Sequence, residues 1–482
     1  MTANQRRVLL ASILGSFVAF LDGSVVNVAL PAMQVELGGG IATQQWIVDA
    51  YLLTLGSLIL LAGSLSDLFG RKRVFAAGLI AFAVTSLACA FAPTALVLIV
   101  ARALQGIAGA LLLPSSLAMI VGNFSGAGQA KAIGSWTAWT GVSFIAGPLV
   151  GGALVDAASW RWIFAINVAP VAATLIILAR VAPERARAGA ASVDWLGALT
   201  CVLGLGGVIF ALIEQPRRGW QAPAIYLPLA GGVLASVAFV VWERRARQPM
   251  LDFALFRDRN FAAGNAATVA IYAGLGGSTF LIAVFLQQVA GYSATAAGMA
   301  LMPLTLMMFA LSPVAGRLAG RWGARWFMTA GPLLAAAGLA LLAELDADIV
   351  YARDLLPGVS LLGLGLSATV APLTAAVLGG VDERHAGVGS AINNAIARVA
   401  GLLAVAAIGA IVASVGTVAT EAQALTAEAK QASVQAFGVA MVSMAALLAI
   451  GGVVSAIGIR RRPSQDPAAG RPASSSPPDA GG

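Results

Sequence analysis

Four charged residues stand inside runs that are otherwise apolar: Asp22, Asp49, Arg102 and Arg398. Away from water, a carboxylate either takes up a proton or stays ionised beside a cation. An acid and a base of this kind, brought together and then separated, would make a proton-responsive pair. Other chemistries lack their parts. The chain has no Gly-x-x-x-x-Gly-Lys-[Ser/Thr] phosphate loop, and its three lysines are Lys72, Lys131 and Lys430. Its one histidine, His385, falls in the charged stretch Asp382-Glu383-Arg384-His385 and is given no proton-carrying role, while Cys89 and Cys201 are far apart in apolar runs. An ATP-driven pump, a metal enzyme and a disulfide framework are therefore not expected, and the reading calls for no cofactor and no catalytic residue.

The elements that hold these four residues follow from composition. Of 482 residues 59% are hydrophobic and only 10% are charged, against about 25% charged in soluble domains. No soluble core could hide that much apolar surface. A helix needs about 20 mostly apolar residues to cross a bilayer, and fourteen such runs lie at roughly 8–30, 46–66, 74–92, 95–121, 131–154, 161–180, 195–214, 224–242, 261–286, 297–319, 325–344, 355–379, 388–414 and 435–459. Solidly apolar runs exclude a β-barrel, whose strands alternate.

The net charge of +8 invites a nucleic-acid partner, but the basic residues sort by topology instead. With the N-terminus in the cytosol, 22 of the 29 Lys and Arg fall on that side, five on the other and two inside spans. The expected placement is a multi-pass protein of a bacterial cytoplasmic membrane with both termini cytosolic, in contact with lipid and not nucleic acid. The first span has Asp22 inside it and is too long for a signal peptide. Residues 181–194 read as a cytosolic linker, 243–260 as a second one along the membrane surface, and 461–482, rich in Pro, Ser, Ala and Gly, as a disordered tail.

Depth pairs two of the buried charges. Asp22 lies roughly 21 Å from the cytosolic start of its span, and Arg102 roughly 10 Å from the outer start of a span running the opposite way. Across about 30 Å of hydrocarbon these depths coincide. A proton- or cation-coupling role for Asp22 is preferred, with a permanent structural ion pair as the alternative. Asp49, about three residues into span 2 on the run boundaries above, either attracts cations at the outer mouth or is simply solvated there. Arg398, near mid-membrane beside Asn393 and Asn394, serves either structure or substrate.

A repeat adds architecture. Gly63-Ser-Leu-Ser-Asp67-Leu-Phe-Gly70-Arg71-Lys72-Arg73 follows span 2, and Gly316-Arg-Leu-Ala-Gly320-Arg-Trp-Gly323-Ala-Arg325 follows span 10; both glycine pairs, 63 with 316 and 70 with 323, are 253 residues apart. Spans 1–6 thus register on 9–14, with 7 and 8 inserted. Asp67 and Arg71 can bridge helix ends as a gate, which the second loop, with Gly320 in place of the acid, would lack. Gly141, Gly147, Gly151 and Gly152 around Pro148 would let span 5 pack closely on its neighbours. Phe17, Phe20, Trp136, Trp139, Tyr272 and Phe280 are candidates for an aromatic cleft wall that holds organic cations, with plain packing or lipid contact as the alternative.

These motifs carry a resemblance over roughly residues 7–460. Leu21-Asp22-Gly-Ser-Val-Val-Asn27-Val-Ala-Leu-Pro31, the Gly63–Arg73 loop, Arg102-Ala-Leu-Gln105-Gly106, Gly141 to Gly152, Trp160-Arg161-Trp162-Ile-Phe-Ala-Ile-Asn167 and Asn394 through Arg398 to Gly401 together resemble the fourteen-span drug:proton antiporters of the major facilitator superfamily, the quaternary-ammonium-resistance type. The resemblance implies an all-α membrane protein with a major facilitator fold: a six-helix bundle at 1–180, two inserted spans within 181–260 and a second bundle at 261–460. It further implies a monomeric proton-coupled exporter of amphipathic or cationic drugs or natural products, the alternative being an uptake protein or facilitator of the same fold. Asp22 and Arg102 are the proton-coupling candidates, and Asp49, Arg398 and the aromatic set are the substrate-binding candidates, although an acid at position 49 is not part of the general pattern of that family.

Overall fold

The computed structural model describes residues 1–182, 193–246, 249–379, 386–415 and 427–460. Among them, fourteen helices are long and apolar enough to cross a membrane: α1 Ala3–Leu37, α2 Gly40–Phe69, α3 Arg71–Ala90, α4 Ala95–Asn123, α5 Lys131–Ala157, α6 Trp162–Ala179, α7 Trp195–Arg218, α8 Pro223–Glu243, α9 Arg259–Gln288, α10 Ala294–Trp322, α11 Ala324–Leu342, α12 Tyr351–Leu378, α13 Val388–Ala413 and α14 Ala427–Gly458. They correspond in order to the fourteen apolar runs. Helix is the form an apolar run must take in lipid, where every backbone amide and carbonyl needs a partner within its own segment. The expectations for His385, for most of the 181–194 linker and for the 461–482 tail lie outside the described residues. The second linker contains a short 3-10 helix, Phe253–Arg257.

Local chemistry sets the helix ends. Thr2 and Gln5 close a capping box on α1. Asp194, Asp258 and Ser293 accept from backbone amides at the starts of α7, α9 and α10. Gly38, Gly39 and Gly40 all take positive φ, which makes the α1–α2 turn so tight that α2 begins at Gly40, six residues before the sequence expectation. The repeat is visible in the backbone: Gly70 has φ 94° and Gly323 φ 93°, each ending one helix and starting the next. Only glycine adopts that conformation without steric cost.

Helices α1–α6 pack on one another, as do α9–α14, and α7 and α8 pair together with α7 lying against α2 and α13. The outward surface of α8 shows Leu227, Leu234 and Val237 exposed, as a lipid-facing helix does. The two groups meet chiefly at the end of the bundle opposite the chain termini. There the Asp156 carboxylate, at the end of α5, accepts from the Ala294 and Thr295 amides that start α10, at 3.2 and 2.9 Å. Gln287 of α9 donates to the Val28 carbonyl of α1 at 3.0 Å, and Gln45 of α2 to the Val405 carbonyl of α13 at 2.5 Å.

The glycines of α5 show how close this approach is. A methyl at Gly147 or Gly151 would collide with Ser24 or Val25 of α1, one at Gly152 would sit 2.6 Å from the Thr295 Cα, and one at Gly298 of α10 would sit 2.5 Å from the Pro148 carbonyl oxygen. Gly141, expected to share this packing face, does not, since a methyl there would meet nothing within 4 Å. It lies nearer the terminal face, where Trp139 and Phe144 are 54% and 49% exposed. These close contacts between the halves therefore gather at one end. Gly152→Val should keep the bundle folded but hold that end apart. In a Gln287→Cys background it should raise thiol alkylation several-fold in membranes, and unchanged labelling would show that this contact does not govern closure.

Candidate functional site

The buried polar centre of the first half is assembled from five helices. The Asp22 carboxylate (α1) receives Arg102 Nη1 (α4) at 2.5 Å on Oδ2, and on Oδ1 it receives Gln105 Nε2 (α4) at 2.9 Å and Asn167 Nδ2 (α6) at 2.8 Å. Gln105 Nε2 also reaches Ser86 Oγ of α3 at 2.9 Å. Arg102 donates onward, from Nη1 to Gln105 Oε1 at 2.7 Å and from Nε to the Ile47 carbonyl of α2 at 3.1 Å, and its guanidinium lies 4.2 Å from the Tyr51 ring centroid. Asp22, Ser86, Gln105 and Asn167 are fully buried and Arg102 is 1% exposed.

Local sequence makes this possible. Arg102 and Gln105 are three residues apart, hence on one face of α4. The adjoining Gly106 lets that face approach α2, because a methyl there would collide with Thr54 and the Tyr51 carbonyl. The sequence pairs Asp22 with Arg102, but it assigns no role to Gln105 or Asn167 and passes over Ser86. The available signal was a polar residue inside an apolar run. Desolvating two charges costs several kcal/mol per ion, and such a pair is sustained only when the remaining hydrogen-bonding capacity is met. Gln105, Asn167, Ser86 and the Ile47 carbonyl meet most of it.

Beside this centre lies a cavity of about 100 Å³ between the halves, lined among others by Gly23, Asn27, Tyr51, Arg102, Thr279 and Phe280. Of the expected aromatic wall, Phe280 lines the cavity, and Phe20 and Trp136 meet edge to face at 6.5 Å. Phe20 also meets Phe144 at 5.7 Å, a partner the sequence did not suggest, and Trp136 donates to Ser16 Oγ at 3.0 Å. Tyr272 is half-buried, with its carbonyl oxygen 3.6 Å from where a methyl on Gly401 would stand. Phe17 is half-buried and enters no ring pair among the described residues. Trp139 is exposed on the terminal half of α5.

Arg398 is the second basic residue inside the bundle. Its guanidinium lies 5.6 Å from the Phe20 ring centroid, and it is close enough to Tyr51 and Tyr272 to interact electrostatically. Its Nε is buried without a hydrogen-bond partner. Neighbouring Asn393 donates instead to Asn265 and Thr268 of α9, at 3.0 and 2.8 Å.

Asp49 departs from expectation. Because α2 begins at Gly40, this residue is well inside the helix rather than at its mouth; it is fully buried, and neither carboxylate oxygen has a hydrogen-bond partner. It shares the α2 face of Gln45 and Gly56, which both touch α13, so it is neither solvated nor open to an outer mouth.

In the loop after α2, Arg71 pairs with Asp67 at 3.3 Å and donates to the Ala118 carbonyl near the end of α4 at 2.9 Å, while Lys72 reaches the Val181 carbonyl at 2.5 Å. Gly63 faces Pro114 of α4 at 4.0 Å. The second loop is built differently. Gly316 faces Ala371 of α12 at 3.3 Å, Gly323 makes the turn, and Arg325 is exposed with no ion pair among the described residues. At the end where the halves meet, Arg161 and Trp160 both donate to the Glu36 carboxylate at 2.6 Å, tying α1 to the start of α6.

The sequence profile of the Major Facilitator Superfamily matches residues 12–405. The chain belongs to that superfamily. It is 34% identical to the Multidrug resistance protein Stp of Mycobacterium tuberculosis over 82% of this chain and 73% of that protein. It is 35% identical to the Tetracenomycin C resistance and export protein of Streptomyces glaucescens, over 83% of this chain and 74% of the other. The fold of this superfamily member is similar to that of a bacterial homologue of the human lysosomal transporter Spinster, solved inward-facing and unoccupied, with TM-score 0.69 and 16% identity over 95% and 97% of the two chains. The superfamily is the one the motifs resemble, and these relatives are named for multidrug or antibiotic resistance rather than for quaternary ammonium compounds.

Two stability measurements follow. Arg102→Met should destabilise by about 3–5 kcal/mol, the cost of stranding one member of a buried pair, and Asp22→Leu combined with Arg102→Met should recover part of that loss in a detergent melt. Asp49→Leu removes a buried carboxylate that has no partner and should raise the melting temperature by several degrees. A fall instead would reveal a partner for Asp49.

Proposed function

We propose that this superfamily member exports amphipathic, antibiotic-like organic molecules from a bacterial cell in exchange for protons, by alternating access. The observation that carries the reading is the buried Asp22–Arg102 pair beside a cavity between two halves whose close contacts gather at one end. With both termini cytosolic, as the basic residues argue, that contact end faces outward, and the reading takes the state as inward-facing. The resistance and export proteins at 34–35% identity support export over uptake. Each chain holds its own cleft, so a monomer suffices.

In this reading the cleft admits substrate from the cytosol onto the Phe20, Trp136 and Phe280 surface. Asp22 is held by donors from α4 and α6. A rearrangement within the first half that pulls α1 away from α4 removes those donors and lets the carboxylate take a proton from the outer side; re-pairing with Arg102 expels it inward. The Asp67–Arg71 latch onto α4 holds α2, α3 and α4 in register during that motion, and the α5 glycines reseal the outer end.

The test uses Asp22→Asn protein in proteoliposomes with an imposed pH gradient, assayed with tetracenomycin C and with ethidium, alongside susceptibility of an efflux-deficient bacterium carrying either form. Gradient-driven efflux should fall to background while the variant purifies as a monodisperse protein. Full efflux by Asp22→Asn would sink the assignment of Asp22.

A further inference from the structure

We infer that the cleft recognises an organic anion, specifically an aromatic amphipath bearing a carboxylate, through the Arg398 guanidinium. The inference rests on the proposed transport reading for the cleft's role, though not for its electrostatics. Arg398 sits one turn toward the terminal face from Gly401, which lines the cavity, so its charge lies on the terminal side of the cavity. Its Cβ rests 3.6 Å from where a methyl on Gly56 would stand. Among the described residues it makes no ion pair, and its buried Nε has no acceptor.

Among the described residues, no acid on the surrounding helices is ion-paired to Arg398. From α1 the acid is Asp22, whose two oxygens are already taken by Arg102, Gln105 and Asn167. From α2 it is Asp49, one face but seven residues from Gly56, about 10 Å along the helix, buried and not ion-paired to Arg398. From α9 the neighbour is Tyr272, which is uncharged at neutral pH. The charged residue lining the cavity itself is Arg102, already neutralised by Asp22. Arg398 is thus the charge that a substrate beside the Phe20 face would meet.

A second observation points the same way. The sequence suggested that aromatic faces would hold organic cations, but the Phe20 face is already occupied by the chain's own cation at 5.6 Å. A cationic ligand there would have to displace a guanidinium and then sit beside it. A carboxylate instead completes the site: the guanidinium fork matches its two oxygens, and charge-assisted hydrogen bonds of this kind are the strong ones. The aromatic body of such a ligand has the Phe20–Trp136–Phe144 cluster to pack against. Exchange of one monoanion for one proton also moves two positive charges inward, so an inside-negative membrane potential assists it. Exchange of a monocation for a proton moves none.

The experiment measures equilibrium binding of two matched probes, 1-naphthoate and 1-naphthylmethylammonium, to purified full-length protein. Wild type should bind the anion at least tenfold more tightly than the cation. Arg398→Gln should lose at least tenfold in naphthoate affinity and with it the preference, while Arg398→Lys, which keeps the charge and loses the fork, should retain a preference of reduced size. Equal or tighter binding of the cation by wild type, no naphthoate binding, or undiminished naphthoate affinity in Arg398→Gln would each overturn the inference. Should Arg398→Gln not fold, the wild-type preference and the lysine variant still decide it. Proteoliposome flux separates the two readings: naphthoate that binds with the stated preference but is not moved by a pH gradient refutes proton-coupled export and leaves the anion site standing.

Discussion

The cost of placing a full charge among apolar helices governs how this molecule is put together. Asp22 and Arg102 can occupy the interior of the first half only because each removes the other's net charge and because donors and acceptors from three further helices meet what remains. That requirement draws α1, α2, α3, α4 and α6 to one point. Helix packing in lipid gains little from apolar contact alone, so a shared polar centre is a strong reason for five helices to adopt one arrangement. It is also a reason for that arrangement to depend on a proton, since neutralising the carboxylate removes the charge for which the other groups are arranged.

Contact between the halves is of a different kind. It relies on missing side chains at Gly147, Gly151, Gly152 and Gly298 and on backbone groups reached by Gln45, Gln287 and Asp156. Such contacts are close and directional but carry no buried charge pair. Surfaces of this type can part and meet again at modest cost, whereas opening the Asp22 centre strands an ion unless the carboxylate takes a proton. The seam between the halves is thus cheaper to part than the centre of the first half.

The two halves share a backbone repeat but not a charge pattern. Gly70 and Gly323 have almost the same conformation, yet among the described residues the Asp67–Arg71 pair and its hold on α4 have no counterpart after α10. The first half likewise holds the paired Asp22 and Arg102, while the second contributes Arg398, which makes no ion pair among the described residues. A buried acid–base pair therefore lies with one half, and a base without an ion pair among the described residues with the other, on either side of one cleft.

Much of this was legible in the amino-acid order. Fourteen apolar runs, the 253-residue repeat and the positive residues at one set of helix ends follow from what lipid excludes, and exclusion acts on each segment separately. The pairing of Asp22 with Arg102 was legible for the same reason, because depth along a helix is a one-dimensional quantity. Rotation about the helix axis and contact with distant segments are not. Hence Gln105, Asn167 and Ser86 gained their roles only when α3, α4 and α6 were brought around α1. Asp49 moved from an expected outer mouth to the α2–α13 interface, because three left-handed glycines start α2 early and the fold sets its face against the other half. Arg398 was a base within an apolar run, of open purpose, until the tertiary structure set it over Phe20 with no ion pair among the described residues. Sequence determined which charges enter the membrane, and packing decided which of them remain unpaired.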